Sequence, residues 1–291
     1  MLCQNIPLTC LWITPPKTYL IDMTKFIPFE GTKIAYSVSG QGLPLVFLHG
    51  FCEDASLWTD FVTHFPDNKY RTILIDLPGF GNSDVIPNVS ITKMAQAVRA
   101  VLEEIQAIPA VLFGHSMGGY TALAYGELFP EGLTGLGMIH SHPFADSEER
   151  RQHRIKSVEF IRNQGHSIFV KQLVPTFFAP TFAKDNRFLV ESMTLKAANY
   201  DKEGIIQAQL AMAARPDRST VLQKLDCPVL FVVGEEDQLI PLELSVRQTL
   251  LPDEADVHIL NKTGHLSMME CTYTAQKIFL QFIEWCSSKT Q

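Results

Sequence analysis

The chain has 291 residues, of which 46% are hydrophobic and 19% are charged, a balance typical of a globular protein with a large core. Its formal net charge of −7 argues against binding to nucleic acid or to an anionic membrane, because both call for a clustered basic face. No apolar run approaches the roughly 20 residues of a membrane span.

The six cysteines are scattered along the chain and lack both the spacing of metal ligands and a dense disulfide framework. This pattern predicts free thiols in a cytoplasmic protein. The chain also lacks a Walker sequence and a dinucleotide fingerprint, so we expect no phosphate-bearing cofactor.

The first 22 residues lack a basic start, and Pro15-Pro16 interrupts their only apolar stretch, which argues against a signal peptide. We expect residues 1–22 to be an N-terminal extension outside the fold. Met23 then opens a segment whose pattern indicates strand, turn and strand.

Strand-like and helix-like segments alternate along the rest of the chain. Strands are predicted at 43–50, within 71–84, and at 110–114, 133–140, 227–234 and 255–260, and helices at 92–106, 117–129 and 270–286. Apolar strands alternating with helices indicate a mostly parallel sheet with helices on both faces.

The alternation breaks once, between residues 143 and 220, where no strand pattern is found. We predict that this segment is a helical insertion into a core formed by residues 23–142 and 221–291. Its basic cluster Arg150, Arg151, His153, Arg154 and Lys156 follows two glutamates and is interpreted as a solvated helix face.

A serine lies at the junction of a predicted strand and a predicted helix, in Gly114-His115-Ser116-Met117-Gly118. A serine hydroxyl becomes a nucleophile only beside a base, and glycines on both sides let the chain turn sharply enough to present it. An N-capping serine in a glycine-rich turn would have the same local sequence. The rest of the chain is therefore needed to distinguish a nucleophile from an N-cap.

The partners that a nucleophilic serine needs follow later in the chain. Asp237 comes just after one predicted strand, and His265 follows the next strand and precedes the final helix. The order serine, acid, histidine is that of one group of hydrolases. The predicted strand that ends in Leu48-His49-Gly50-Phe51 offers the backbone N–H of Phe51 as an oxyanion donor, and Met117 offers the other.

Over residues 24–286 the sequence resembles the α/β-hydrolase superfamily. The resemblance rests on HGF at 49–51, DLPGFGNSD at 76–84, GHSMGG at 114–119, GEED at 234–237 and GH at 264–265. It implies an eight-stranded, mostly parallel sheet, with a helical cap inserted after the sixth strand. It also implies that Ser116 attacks a carbonyl carbon while His265 acts as the base and Asp237 orients it.

Other polar residues compete for these roles. Asp146, near the end of the sixth predicted strand, is the alternative triad acid, and Asp237 fits the commoner position. His140 and His142 could hold a metal with Asp146, although two polar side chains beside the pocket explain them more simply. We expect His115 to point away from the cleft.

The remaining conspicuous residues are assigned structural roles. Asp76 and Asp84 are expected to shape a loop, and His49 to be part of the oxyanion strand. The aromatic residues of the inserted segment are expected mainly to pack, with one or more of them touching substrate: Phe169, Phe177, Phe178 and Phe182.

These features predict a serine hydrolase of the carboxylesterase kind that acts on a small, mostly apolar ester and needs no cofactor. Carbon–carbon bond hydrolysis is an alternative, although Leu266 follows His265 where such enzymes usually have Trp. Thioesters and lactones are further alternatives. A small-molecule receptor that retains the triad is the alternative outside enzymes. Haloalkane and epoxide chemistry would require Asp at the position of Ser116.

Overall fold

The computed structural model of the protein describes residues 24–289. The predicted extension 1–22 therefore lies outside the described residues. Residues 24–289 form eight β-strands: β1 (Lys25–Phe29), β2 (Thr32–Gly40), β3 (Leu43–Leu48), β4 (Tyr70–Ile75), β5 (Ala110–His115), β6 (Leu133–Ile139), β7 (Val229–Gly234) and β8 (Ala255–Leu260).

All eight strands form one sheet in the order β1-β2-β4-β3-β5-β6-β7-β8. The pairs β1–β2 and β2–β4 are antiparallel, and every other neighbouring pair is parallel. Strands β5 and β7 are buried along their whole length, as expected where helices cover both faces. The eight-stranded, mostly parallel sheet expected from the sequence is thus confirmed.

Helices fill the connections between the strands. Within residues 24–289 they are α1 (Thr59–Val62), α2 (Ile91–Glu104), α3 (Met117–Leu128), α4 (Glu148–Gln164), α5 (His166–Leu173), α6 (Pro180–Asp185), α7 (Arg187–Ala197), α8 (Lys202–Ala213), α9 (Ser219–Leu222), α10 (Leu242–Gln248), α11 (Ser267–Glu270) and α12 (Thr272–Lys289). Three short 3-10 helices at Ala55–Trp58, Pro130–Gly132 and Val174–Phe177 complete the set. None of the helices in this part of the chain is long and apolar enough to cross a bilayer.

The segment between β6 and β7 contains six helices, α4 to α9, and no strand. Residues 143–220 are called the helical segment below. Its longest helix, α4, begins at an N-capping Ser147, whose hydroxyl accepts a hydrogen bond from the backbone N–H of Arg150.

Six parallel strands end at the same edge of the sheet. They are β3, β4, β5, β6, β7 and β8, which run in one direction, so the loops that follow them meet at their carboxyl ends. In open α/β sheets this edge is where binding sites form.

Candidate active site

Ser116 occupies the sharp turn between β5 and α3. Its backbone has φ 49° and ψ −111°, a conformation with positive φ that non-glycine residues rarely adopt. Its N–H donates to the carbonyl of Ile139 at 2.9 Å, and its carbonyl accepts the Ser141 hydroxyl at 2.8 Å. These bonds to the end of β6 hold the strained turn in place.

The glycines on either side of Ser116 are required by close backbone approaches. A Cβ on Gly114 would lie 2.3 Å from the carbonyl oxygen of Gly118, and one on Gly118 would lie 2.5 Å from that of Leu48. Helix α3 can therefore pack this closely against β5 and the end of β3 only with glycine at both positions.

Asp237 and His265 come together although 28 residues separate them. The Nδ1 of His265 lies 2.6 Å from Oδ2 of Asp237. The other oxygen of Asp237 accepts the backbone N–H groups of Leu239 at 2.8 Å and Ile240 at 3.0 Å. Burial alone would raise the pKa of the Asp237 carboxyl, but the nearby imidazoles of His265 and His140 hold it well below its usual range.

The hydrogen bond to Asp237 fixes the orientation of the His265 ring. An ionised carboxylate only accepts, so Nδ1 carries a proton and Nε2 is the nitrogen left for chemistry. His265 Nε2 is buried and has no hydrogen-bond partner among residues 24–289. His265 and Ser116 line the same cavity.

His140 places a second imidazole beside Asp237. Its Nε2 accepts the backbone N–H of Ser267 at 3.3 Å and lies 2.8 Å from that residue's hydroxyl. A neutral ring must then carry its proton on Nδ1, which lies 3.7 Å from Oδ2 of Asp237. Burial lowers the pKa of His140 to about 4 against the opposing effect of Asp237, so the ring is neutral at pH 7.

His115 points away from the cavity, and its ring is fully buried. Its Nε2 donates to the backbone carbonyl of His265 at 2.8 Å, and its Nδ1 lies 2.8 Å from the Glu53 carboxylate. Burial alone would lower the pKa of His115 and raise that of Glu53. Their mutual attraction and hydrogen bond reverse both shifts, which raises the pKa of His115, lowers that of Glu53 and favours the imidazolium–carboxylate form of the pair.

Two acidic residues support the loops of the site and were not found by the sequence argument. Glu53 also accepts the Gly50 N–H at 2.6 Å. Glu270 accepts the backbone N–H of Ala179 in the helical segment at 2.9 Å. It also accepts the N–H groups of Leu266 at 3.1 Å and of Gly264, which flank His265, so it fastens the loop of His265 to the helical segment. In the sequence, a single acidic residue beside a motif does not indicate that its side chain is buried.

The two expected oxyanion donors lie where β3 and β5 end. Phe51 borders the cavity and is 8% exposed, while Met117 is the first residue of α3. In the described part of the chain, the backbone N–H groups of both residues lack a hydrogen-bond partner. Met117 N–H additionally lies at the positive end of the α3 dipole.

Asp146, the alternative triad acid, and His142, a possible metal ligand, lie in surroundings that differ from those of Asp237 and His265. Both Asp146 and the ring of His142 lie away from the His265–Asp237 pair, with Asp146 held by arginines and His142 stacked on Phe144. Strand β6 ends at Ile139, so His140 and His142 follow the strand and do not share a face. Within residues 24–289, the one group of three candidate metal-ligand side chains is His140, Asp237 and His265, whose donor atoms lie within 4.8 Å of one another.

The residues assigned structural roles are held by backbone hydrogen bonds. Asp76 accepts the N–H groups of Ala55 and Asn82, both at 2.8 Å, and Asp84 accepts that of Lys33 at 2.8 Å. The Nε2 of His49 accepts the N–H of Leu77 at 2.9 Å.

The cavity beside Ser116 has a volume of about 770 Å³ and two kinds of wall. Its apolar wall contains Phe51, Phe169, Leu173, Phe177, Met212, Leu239, Ile240 and Leu244. Phe178 and Phe182 instead stack on each other with centroids 5.6 Å apart. The other wall is polar and comes mainly from α4 and from the loop that precedes it.

The interpretation of the basic cluster of α4 as a solvated face is wrong for part of it. Arg150, His153 and Arg154 line the cavity, and the Arg154 side chain is only 11% exposed, whereas His153 is exposed to solvent as expected. Arg151 does face solvent and pairs with Glu148 at 2.9 Å. Residues three and four apart share a helix face, and that spacing was the sequence signal for a second side, which faces the cavity.

Comparison with known proteins agrees with the observed fold. The family model described as "alpha/beta hydrolase fold" matches residues 44–271. The chain therefore belongs to the α/β-hydrolase family, as the sequence motifs indicated.

Among the relatives is a 2-hydroxy-6-oxononadienedioate/2-hydroxy-6-oxononatrienedioate hydrolase of Paraburkholderia phymatum, 25% identical over 86% of this chain and 91% of that protein. A 2-succinyl-6-hydroxy-2,4-cyclohexadiene-1-carboxylate synthase of an Enterobacter species is 29% identical over 73% of this chain and 84% of its own length. A solved thermophilic esterase of Thermogutta terrifontis, with malate bound, superposes with a TM-score of 0.85 at 26% identity, covering 91% of this chain and 99% of that one.

Proposed function

We propose that the protein is a serine hydrolase that cleaves a carboxylic ester through an acyl-enzyme on Ser116. His265 Nε2 takes the hydroxyl proton as Ser116 Oγ attacks the carbonyl carbon, and it returns that proton to the departing alcohol as the C–O bond breaks. His265 then takes a proton from water, whose oxygen attacks the acyl-enzyme. The acid leaves and Ser116 regains its proton.

The other residues of the site stabilise the charges that form in these steps. Asp237 holds the His265 ring in one orientation and stabilises the imidazolium. The N–H groups of Phe51 and Met117 stabilise the negative oxygen of the tetrahedral intermediate. The proposal depends most on the 2.6 Å contact of Asp237 with His265, which leaves Nε2 available in the cavity that Ser116 borders.

We assign the helical segment 143–220 as the cap of this site. The side chains of Phe169 and Phe177 in this segment border the cavity, and the Phe177 carbonyl accepts the backbone N–H of His265 at 2.7 Å. A cap that also holds the base in place would exclude water and position the substrate.

Carbon–carbon bond hydrolysis is the second candidate. It is favoured by the similarity to hydrolases named for 2-hydroxy-6-oxononadienedioate and for 2-hydroxy-6-oxo-6-phenylhexa-2,4-dienoate. Against it, the residue after His265 is the buried Leu266, where that branch usually has Trp. Thioesters and lactones would use the same acyl-enzyme.

The test is turnover of p-nitrophenyl acetate, propionate and butyrate, together with labelling by a fluorophosphonate. Ser116→Ala is expected to lower kcat by about 10⁴ to 10⁶ and to abolish labelling, because triad members act as a unit. Ser192→Ala, at an exposed serine of α7, is the matched control and should retain wild-type turnover. Absence of any Ser116-dependent burst or labelling would instead favour a receptor.

A further inference from the structure

The polar wall of the cavity carries more positive charge than its own acidic residue neutralises. Three guanidinium groups face the carboxylate of Asp146: that of Arg154 at 2.6 Å, that of Arg215 at 2.7 Å and that of Arg150 at 3.7 Å. Burial alone would raise the pKa of the Asp146 carboxyl, but Arg154 and Arg215 lower it, so the group is ionised. One negative charge against three positive charges leaves two uncompensated.

The other acidic residues that line the cavity do not cancel this excess. Glu53 is paired with His115. Asp217 accepts hydrogen bonds from the hydroxyl and N–H of Ser219 and lies near Arg247, a further cation of the cavity wall. Glu149 is exposed to solvent, where charges are screened.

His142 is a buried ring in the same wall. It is 3% exposed, and burial together with Arg215 and Arg150 lowers its pKa to about 3, so the ring is neutral. Its Nε2 lies 3.5 Å from the Tyr120 hydroxyl, while its buried Nδ1 has no partner in the described chain. An anion would be stabilised here by the surplus positive charge and, with the proton of the neutral ring on Nδ1, by a hydrogen bond donated from that nitrogen.

Arg150 is free to bind such an anion. Apart from Asp146 at 3.7 Å, its guanidinium has no hydrogen bond or ion pair within residues 24–289. Arg154 uses its Nε on Asp146 and one terminal nitrogen on Gln209 at 3.1 Å. A guanidinium has five donors in a planar fork that matches a carboxylate, so donors remain on both arginines.

This wall is connected to the nucleophile by one turn of α3. Tyr120 is four residues after Ser116, about 6 Å along the helix axis. Its ring is stacked under the Arg215 guanidinium at 4.0 Å, and its hydroxyl faces His142. Ser116, Tyr120, His142, Arg150 and Arg154 all line the one cavity.

We propose that Arg150, Arg154 and His142 form a carboxylate-binding subsite, so that Ser116 acts on substrates bearing a free carboxylate. The ester or other acyl bond lies at Ser116, and the carboxylate is held at the arginine wall. The substrate class is then half-esters of dicarboxylic acids and related oxo-acids, a more polar class than the apolar ester expected from the sequence. This assignment of substrate rests on the proposed hydrolase function.

The subsite is tested by binding, which does not depend on turnover. Ser116→Ala protein is titrated calorimetrically with the monomethyl esters of succinate, glutarate and adipate and with the matching dimethyl esters. We expect at least one monoester to bind about tenfold more tightly than its diester, as a charge-assisted pair with a buried guanidinium implies. Added salt should weaken binding of the monoester only.

Variants of α4 show which arginines cause the preference for monoesters over diesters. Arg154→Gln in the Ser116→Ala background should remove most of the preference for the monoester. Arg150→Gln should reduce it, and this variant is the safer one because its side chain is 37% exposed and is not hydrogen-bonded to the fold. Arg162→Gln, at an exposed arginine in the last turn of the same helix, should retain the full preference.

Each outcome bears on one of the two proposals. Equal binding of monoesters and diesters across the series, or an undiminished preference in a folded Arg150→Gln or Arg154→Gln protein, would overturn the subsite. If wild-type protein hydrolyses p-nitrophenyl acetate but shows no preference for carboxylates, only the subsite fails. If the preference is present without Ser116-dependent turnover, the proposed hydrolase fails and the subsite stands.

Discussion

The loops at the carboxyl edge of the sheet and the arginine wall of the helical segment border one cavity but hold their charges differently. At the sheet edge, Asp237 is matched to His265 and Glu53 to His115. At the wall, Asp146 is shared by three arginines. Fixed pairs hold a reacting group in one geometry, whereas surplus charge is left to bind a ligand. The two regions therefore suit the two tasks of a hydrolase, chemistry and recognition.

The largest expected effect separates the two aspartates that could serve as the triad acid. Asp237→Asn should lower kcat for p-nitrophenyl acetate by about 10⁴, because the His265 ring would lose its orientation and the partner of its positive charge. Asp146→Asn should leave kcat for this neutral ester within about tenfold while costing about 3 kcal/mol of stability, because the buried Arg154 and Arg215 lose their counter-ion. Steady-state kinetics and urea unfolding measure the two quantities.

Equal losses of kcat in these two variants would contradict the assignment of chemistry to the sheet edge and of recognition to the arginine wall. A loss confined to Asp146→Asn would transfer the role of the triad acid to the helical segment.

The next effect concerns the buried Glu53–His115 pair behind the loops of the candidate active site. Glu53→Gln should lower the free energy of unfolding by about 3 to 5 kcal/mol, because it leaves a buried imidazolium unpaired or forces it to lose its proton. Glu131→Gln, at an exposed acid paired with Arg99 at 2.8 Å, should change stability by less than about 1 kcal/mol.

The same pair predicts a pH dependence. The folded pKa of Glu53 is lowered, so its contribution is present above the ordinary glutamate pKa and is lost as pH falls through the folded value. The folded pKa of His115 is raised, so its contribution is complete below the ordinary histidine pKa of about 6.5 and is lost as pH rises through the folded value.

Wild-type protein should therefore lose stability relative to Glu53→Gln as the pH is raised above about 6.5. Urea unfolding of both proteins between pH 5 and 9 measures the difference. A difference that stays constant over this range would show that His115 is not a stabilised cation.

A smaller effect tests the backbone contacts at the elbow of Ser116. Gly118→Ala should cost about 1 to 3 kcal/mol and lower kcat, because its Cβ would meet backbone oxygens of β3 and the following loop that cannot move freely. Gly126→Ala in the same helix is the matched control, since its nearest neighbours are ends of leucine side chains at 3.0 and 3.2 Å. Thermal unfolding and p-nitrophenyl acetate turnover should separate the two variants, and similar losses would count against a special elbow geometry.

The smallest effect lies where the helical segment meets the loop after β3. Lys196 Nζ lies 2.7 Å from Oδ1 of Asp54, and its side chain is 46% exposed. Lys196→Ala should cost less than about 1 kcal/mol, as exposed ion pairs usually do. Calorimetry and kcat/KM for p-nitrophenyl butyrate measure it, and a loss of tenfold or more would mean that this one ion pair fixes the segment over the cavity.

The sequence predicted the strands to within a few residues, because apolar runs such as that of β5 must be buried whatever surrounds them. It also predicted that Ser116, Asp237 and His265 each follow a strand. Parallel strands end at one edge of a sheet, which is why residues that follow them can lie close together. The bounds differed mainly where a strand stops early, as β6 does at Ile139 before the positive φ of His140.

The sequence did not predict the burial of charged side chains, because that burial depends on which elements pack against each other. Arginines such as Arg150 and Arg154 occur both on solvated helix faces and on faces that border a cavity. The glutamates before them favoured the interpretation that they are exposed to solvent. Glu53 likewise looked like any acidic loop residue, because its partner His115 is 62 residues away.

The sequence by itself determined the fold and the order of the chemical groups, since hydrophobic periodicity and turn residues act over a few neighbouring positions. Only the tertiary structure decided which charges are matched and which are left over. That balance arises between residues distant in the chain, such as Asp146 and Arg215, and no local pattern records it.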